Sequence, residues 1–191
     1  MKLLFITHKI HELDDDFAFA SLWVQEFIRQ GFEVEVICLE KRVHTGTFLV
    51  HSLGKENGAS RFAVMMRFWK LIFTLKYDRV FVHMNPKWVA AGAPYWLLRR
   101  IPVYLWYTHY TMHFPLRVSH WLCKRLFAAT KESMPQYEGD PKKVVTGHGV
   151  DTRFWVMEVP DRPARKPRHE LLSVHRICRS KRLHLAILSL A

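Results

Sequence analysis

Short apolar runs alternate with segments of helical spacing from the start of the chain. Residues 2–7, with an apolar run over 3–6, predict a short buried strand, and residues 32–39 predict a second one. Between them, apolar residues recur at about the 3.6-residue spacing of a helix that ends at Gly31. These residues are Phe17, Ala20, Val24, Phe27 and Ile28. Two strands joined by a helix predict a parallel β-α-β unit with a right-handed crossover.

The same alternation continues through residue 146. The predicted strands are 48–53, 79–84, 103–107, 126–130 and 143–146, and the predicted helices are 60–76, 87–100 and 115–125. Ser60 is expected to cap the first of these helices. Its inward-facing residues are predicted to be Phe62, Met65, Trp69, Ile72 and Phe73. Regular alternation of this kind predicts an α/β fold, a doubly wound, Rossmann-like parallel sheet with helices on both faces.

The composition changes after Phe154. Residues 155–169 are rich in proline and arginine, which is typical of a linker. Residues 170–191 then predict one strand, 171–174, and one helix, 180–191. We therefore expect a complete Rossmann-like domain over 1–154, a linker over 155–169, and the first strand and helix of a truncated second domain over 170–191.

The net charge of +12 and the cysteine pattern limit the functional classes. A basic surface attracts nucleic acid, acidic lipid head groups or phosphorylated small molecules, and charge alone does not choose among them. Cys38, Cys123 and Cys178 show no C-x-x-C spacing, which fits a reducing, cytoplasmic compartment. No apolar run reaches the roughly 18 residues of a membrane-spanning helix.

Candidate binding residues fall at the ends of the predicted strands. In an open parallel sheet, ligands bind at the carboxyl ends of the strands. Four histidines and three other polar residues are predicted there: His8, His83, His109, His148, Asn85, Lys131 and Glu132. Neutral imidazole both donates and accepts hydrogen bonds, which suits sugar hydroxyls and phosphate oxygens. The alternative is that each histidine is a hydrogen-bonded residue of the core or rim.

Two further patterns leave alternatives open. His109 and His113 are four residues apart, as zinc ligands can be, and the acids 14–16 either start a helix or bind a metal. No compact ligand motif accompanies them, so we expect no metal site. Gly147 and Gly149 flank His148 and allow either an ordinary tight turn or close approach of the backbone to a ligand.

Several phrases together resemble a known family. Residues 2–7 (KLLFIT), 80–86 (VFVHMNP), 105–109 (LWYTH) and 146–154 (TGHGVDTRF) are similar to the N-terminal half of a family 4 glycosyltransferase. Residues 171–183 resemble the opening of that family's second domain. The resemblance implies a GT-B fold, in which two Rossmann-like domains face a cleft. The first domain would hold mainly the acceptor and the second the donor.

The resemblance also implies an activity and residue roles. The family transfers a sugar from a nucleotide-sugar to an acceptor with retention at the anomeric carbon, without a metal or other cofactor. By match, His109 is the catalytic residue that approaches the transferred sugar. On the donor side, Arg176 and Lys181 would neutralise the diphosphate, while His148 and Gly149 would lie at the interdomain turn. His8, His83, Asn85, Lys131 and Glu132 would line the acceptor side.

The expected partners follow from this resemblance and from the charge. They are a nucleotide-sugar donor, an acceptor that is lipid-linked or a polysaccharide precursor, and a complementary second domain, because the chain ends before the family's glutamate-bearing donor motif. Without that domain the chain is expected to be inactive. Peripheral association with the inner face of a membrane is a further expectation. The alternative is a non-catalytic basic module that binds nucleic acid or phosphorylated ligands, although no nucleic-acid motif is present.

Overall fold

The computed structural model describes residues 1–14, 17–149 and 182–189. Met1–Gly149 forms one compact unit and Val150–Ala191 a second. In the second unit, the described part is a short helix, Leu183–Leu188, inside the helix predicted over 180–191. The predicted linker, the strand at 171–174 and the domain boundary at Phe154 lie outside the described residues.

The first unit is built on a seven-stranded sheet in which all described pairings are parallel. The strands are β1 (Lys2–Ile10), β2 (Glu33–Lys41), β3 (Leu49–Ser52), β4 (Arg79–His83), β5 (Val103–Trp106), β6 (Arg125–Ala128) and β7 (Lys143–Val145). Their order is β3-β2-β1-β4-β5-β6-β7. The chain therefore builds outward from β1 in one direction and then returns to build in the other. The predicted doubly wound parallel sheet is confirmed.

Helices cover both faces of this sheet. They are α1 (Ala18–Arg29), α2 (Arg61–Thr74), α3 (Pro86–Leu98) and α4 (Phe114–Leu122). Successive residues of a strand point to opposite faces, so Leu4 and Ile6 of β1 belong to one buried cluster, and Leu3 and Phe5 to the other. α2, α3 and α4 pack into the first cluster, whereas α1 packs into the second.

The first strand is longer than predicted. β1 continues past Thr7 to Ile10, and Lys9 and Ile10 pair with Glu40 and Lys41 of β2. The apolar run ends at residue 6, but the neighbouring strand continues and supplies backbone partners for three more residues. His8 consequently lies within β1 instead of following it, which corrects the predicted strand end.

The buried side of α2 also differs from the prediction. Phe62, Trp69 and Phe73 are exposed, with 76% of Phe62 accessible, so their predicted inward orientation is wrong. The buried stripe consists of Val64, Phe68 and Ile72. Because α2 is apolar on nearly every side, spacing alone does not reveal which stripe meets the sheet. The predicted cap is confirmed: the Ser60 hydroxyl accepts a hydrogen bond from the Ala63 amide at 3.2 Å.

Candidate functional site at the carboxyl edge of the sheet

The sheet has a topological switch point between β1 and β4. Connections from these two neighbouring strands lead in opposite directions, and such a point opens a crevice at the carboxyl edge. The last β1–β4 pair joins Ile6 to Val82, so the end of β1 extends beyond β4 and places His8 at the edge. His8 is half-buried, and its ring centroid lies 5.5 Å from that of Phe17.

The junction after β4 has an unusual backbone conformation. Met84 has φ 61°, in the left-handed region that residues other than glycine seldom adopt, and its amide donates to the Trp106 carbonyl at 2.8 Å. Asn85 follows at the start of α3, and within the described residues its side chain makes no capping hydrogen bond. Strained conformations of this kind concentrate at functional sites, and the Met84 conformation therefore supports a functional site at this edge of the sheet.

His83, the last residue of β4, is buried in a cluster of aromatic rings. Its ring lies 5.2 Å from Trp106, 5.3 Å from Trp23 and 5.2 Å from Phe19, measured between centroids. Nδ1 lies 3.3 Å from the Thr7 hydroxyl, while Nε2 finds no protein partner among the residues that the structure describes. Burial lowers the pKa of His83 to about 4, so the side chain is neutral near pH 7.

The aromatic cluster connects two of the predicted histidines. The ring of His148, which follows β7, lies edge-on to Trp106 at 5.7 Å. Trp106 therefore contacts both His83 and His148. The ring series continues through Phe19 to Phe17, whose centroids lie 6.4 Å apart, and so reaches the neighbour of His8. The structure thus links three of the four predicted histidines through aromatic contacts.

The positive charges of two lysines act on His8. Desolvation lowers the pKa of His8, and the positive charges of Lys55 and Lys87 lower it further. The pKa of Lys87 is also lowered, first by burial and then by Lys55 and Arg61. Each of these positive charges makes the protonated form of its neighbour less favourable. A bound anion would relieve that repulsion. We name Lys55 and Lys87, whose charges act on His8, the cationic cluster.

His109 lies in the exposed loop after β5. Its ring contacts Tyr107 edge-on at 5.3 Å, and its carbonyl accepts from the Met134 amide at 3.2 Å. His113 in the same loop caps α4, because its Nδ1 accepts from the Leu116 amide at 3.3 Å. Nε2 of His113 must then carry the proton, and it lies 3.0 Å from the Tyr107 hydroxyl.

This arrangement leaves both nitrogens of His113 occupied, so a zinc pair with His109 would have to break an existing hydrogen bond. No cluster of three or more potential metal ligands occurs within residues 1–14, 17–149 and 182–189.

The remaining predicted residues are more exposed. Lys131 and Glu132 lie in the turn after β6, and hydrogen bonds from the Glu132 amide and the Thr130 hydroxyl lower the pKa of the Glu132 carboxylate. Gly147 has φ 76°, a conformation that favours glycine, whereas Gly149 has open space where a side chain would project. Arg176 and Lys181 lie outside the described residues.

Sequence reasoning missed several residues of this edge. Phe19 and Trp23 lie on α1, which packs over β1 and β2, and only their rings extend to His83 at the end of β4. Lys87 carries a sequence signal that could have identified it, since it follows Asn85-Pro86 at the start of a helix. Lys55 lies in a one-turn helix after β3 and carries no comparable signal.

Comparison with known proteins gives structural matches only. A scan against protein-family models finds no match, and a search of curated proteins finds none either. Among solved structures, MurG from Acinetobacter baumannii matches with a TM-score of 0.52 and 19% identity, over 85% of this chain and 50% of MurG. UDP-GlcNAc 2-epimerase from Neisseria meningitidis, bound to UDP-GlcNAc, matches with a TM-score of 0.52 and 15% identity, over 77% of this chain and 46% of the epimerase.

The epimerase from Methanocaldococcus jannaschii gives a TM-score of 0.50 at 14% identity, over 76% of this chain and 45% of its own. The fold is the Rossmann-like fold of GT-B enzymes. The chain spans about half the length of each of these enzymes. Since they include both a MurG and epimerases, the shared fold does not by itself decide the reaction.

Proposed function

We propose that this chain is the acceptor-side part of a retaining, family 4 glycosyltransferase that uses a nucleotide-sugar. The observation that carries the proposal is the cationic cluster beside neutral imidazoles at the β1–β4 switch point. Ligands of open α/β sheets bind at such points. The neighbour bound to UDP-GlcNAc shares this fold, which supports a nucleotide-sugar as the donor.

The chemistry of the edge suits an acceptor that carries both hydroxyl and anionic groups. A histidine whose pKa is lowered, such as His8, stays neutral and can hydrogen-bond a sugar hydroxyl or accept its proton. Lys55 and Lys87 would hold a phosphate or carboxylate of the same acceptor. Such an acceptor is a lipid-linked sugar or a polysaccharide precursor, on the cytoplasmic side of a membrane.

The donor side of the proposal rests on the family resemblance. His109 would approach the transferred sugar, with His148 and Gly149 at the turn facing the donor. As the sugar–phosphate bond breaks, negative charge develops on the leaving diphosphate, and Arg176 and Lys181 would stabilise it. Asn85, Lys131 and Glu132 would complete the acceptor side. The reaction requires no metal or other cofactor.

The decisive experiment measures nucleotide release from a panel of UDP- and GDP-sugars. The chain is assayed alone and with a GT-B donor domain supplied as a second polypeptide, in the presence of lipid-linked and soluble sugar acceptors. We expect turnover when both polypeptides are present, and His109→Ala should reduce it by a factor of about 100 or more. His51→Ala, on β3 beside Glu35, is the matched control and should retain turnover.

Two outcomes would contradict the proposal. One is the absence of turnover across the panel although the two polypeptides form a folded complex. The other is turnover that His109→Ala and His51→Ala leave equally unchanged. Salt-dependent binding of a polynucleotide in place of turnover would favour the basic binding module, since each phosphate contact adds to the salt dependence of the affinity.

A further inference from the structure

One side of α2 presents large apolar residues to solvent. Phe62, Met66, Trp69 and Phe73 recur at intervals of four, three and four residues, so they form one stripe along the helix. Met66 is 46% exposed, Trp69 39% and Phe73 57%. This apolar stripe is separate from the buried stripe of α2, which packs on the sheet. Exposed apolar residues that are contiguous, and not scattered singly, mark interaction sites.

The apolar stripe continues onto α3. The indole nitrogen of Trp69 donates to the Ala91 carbonyl at 3.1 Å, and the rings of Phe73 and Tyr95 meet edge-on at 4.8 Å. Leu98 lies three residues after Tyr95 on the same side of α3 and is 81% exposed. The stripe and Leu98 together form what we call the apolar face.

The charge around the apolar face is one-sided. Between Glu56 and Glu132 the sequence contains a single acid, Asp78, whose carboxylate accepts a hydrogen bond from the Lys2 backbone amide at 2.8 Å. Lysines and arginines recur throughout the same stretch. Lys70 lies between Trp69 and Phe73, and Arg99 and Arg100 follow Leu98, all three exposed. The face is therefore apolar and bordered by cations, without acids on either helix.

We infer that the apolar face binds the surface of a bilayer that contains anionic lipids. Apolar side chains would enter the boundary between head groups and acyl chains, while Lys70, Arg99 and Arg100 would contact lipid phosphates. No helix in the described part of the chain is long and apolar enough to span a membrane. The inference is therefore of binding to the surface, and it holds whatever reaction the carboxyl edge supports.

Charge also argues against the other occupants. A symmetric contact with a second copy would bring together two faces that are both bordered by cations, which is unfavourable without acids to pair them. A nucleic acid would match the charge, but it would leave Met66 and Leu98 without an apolar partner. An anionic bilayer satisfies both features of the face.

The test is sedimentation of the full chain with phosphatidylcholine vesicles, with and without phosphatidylglycerol. We expect binding to the anionic vesicles that weakens as salt is raised. The double variant Phe62→Ser/Phe73→Ser should weaken that binding by a factor of about 10 or more, because it removes two inserted rings. Lys70→Ala should weaken it about fivefold, the value of one cation near an anionic surface.

Matched controls lie on α1, across the sheet. Leu22→Ser removes an exposed leucine, 51% accessible, and Arg29→Ala removes an exposed cation. Both should bind vesicles as the wild type does, and far-UV circular dichroism should show every variant folded. Failure to bind anionic vesicles, equal binding by the α2 and α1 variants, or a dimer in solution that Phe62→Ser/Phe73→Ser dissolves would each overturn the inference.

Discussion

The environment of His83 decides its protonation state. The imidazole is 1% exposed, surrounded by rings, and hydrogen-bonded only through Nδ1 among the described residues. A charged imidazolium would have to give up its hydration here, and no described carboxylate compensates for that loss. His83 is therefore a neutral polar group within the aromatic cluster and does not titrate near pH 7.

This environment makes the stability of the protein depend on pH. As the pH falls below the ordinary histidine pKa of 6.5, the unfolded chain binds a proton at His83, whereas the folded chain does not until about pH 4. The unfolded state therefore binds more protons, and the free energy of unfolding falls through that window by about 3 kcal/mol from this residue. Urea unfolding at a series of pH values measures the slope.

His83→Phe should make that slope shallower, because the titrating group is gone while a ring remains in the cluster. Phe127→Leu, which changes another ring on this face of the sheet without removing a titratable group, is the control and should retain the wild-type slope. The burial argument fails if His83→Phe changes stability equally at pH 7 and pH 5.

At the scale of the element, α2 shows how an almost wholly apolar helix selects its buried side. Two stripes compete: one holds Phe68 and the other Phe62. The sheet contacts the first. Phe68→Ala should lower the free energy of unfolding by about 3–5 kcal/mol, because it opens a cavity in the core. Phe62→Ala should change it by less than about 0.5 kcal/mol. Chemical denaturation of the two variants measures both changes. Similar losses of unfolding free energy in the two variants would contradict the observed orientation of α2.

The start of α2 carries a separate prediction. Ser60 satisfies one of the unpaired amides of the first turn. Ser60→Ala should therefore cost about 1 kcal/mol, whereas Ser60→Asp should cost little, since its carboxylate can accept the same hydrogen bond and also suits the helix dipole. Thermal unfolding of both variants measures the difference. Equal losses in the two variants would show that the cap contributes nothing.

The elements also show which properties a single sequence reveals. Apolar runs and turn residues predict the order and type of the strands and helices up to β7, because these are local properties of the chain. The buried side of α2 and the end of β1 depend on neighbours distant in sequence, and the predictions of these two features were wrong. Likewise, His109 and His148 could be assigned to strand ends, but the aromatic cluster around His83 could not, since Trp23 reaches it from α1.

For the whole molecule, the described contacts make Met1–Gly149 a unit with its own core on both faces of the sheet. A fragment of residues 1–149 should therefore unfold cooperatively and with a midpoint close to that of the full chain. Calorimetry of the two proteins provides the comparison. A loss of cooperativity in the fragment would mean that residues after 149 are needed to stabilise this sheet.

A shorter fragment, residues 1–141, tests whether β7 is needed for residues 1–149 to fold without the rest of the chain. It lacks β7, whose pairing with β6 covers Leu126, Phe127 and Ala128. It also lacks Lys142, whose ammonium group donates to the last carbonyls of α4 at 2.8 and 3.0 Å. Without these partners β6 becomes an open edge next to the core, so the shorter fragment should melt at a lower temperature and aggregate. Equal stability of the two fragments would show that β7 is an appendage and that the cooperative sheet ends at β6.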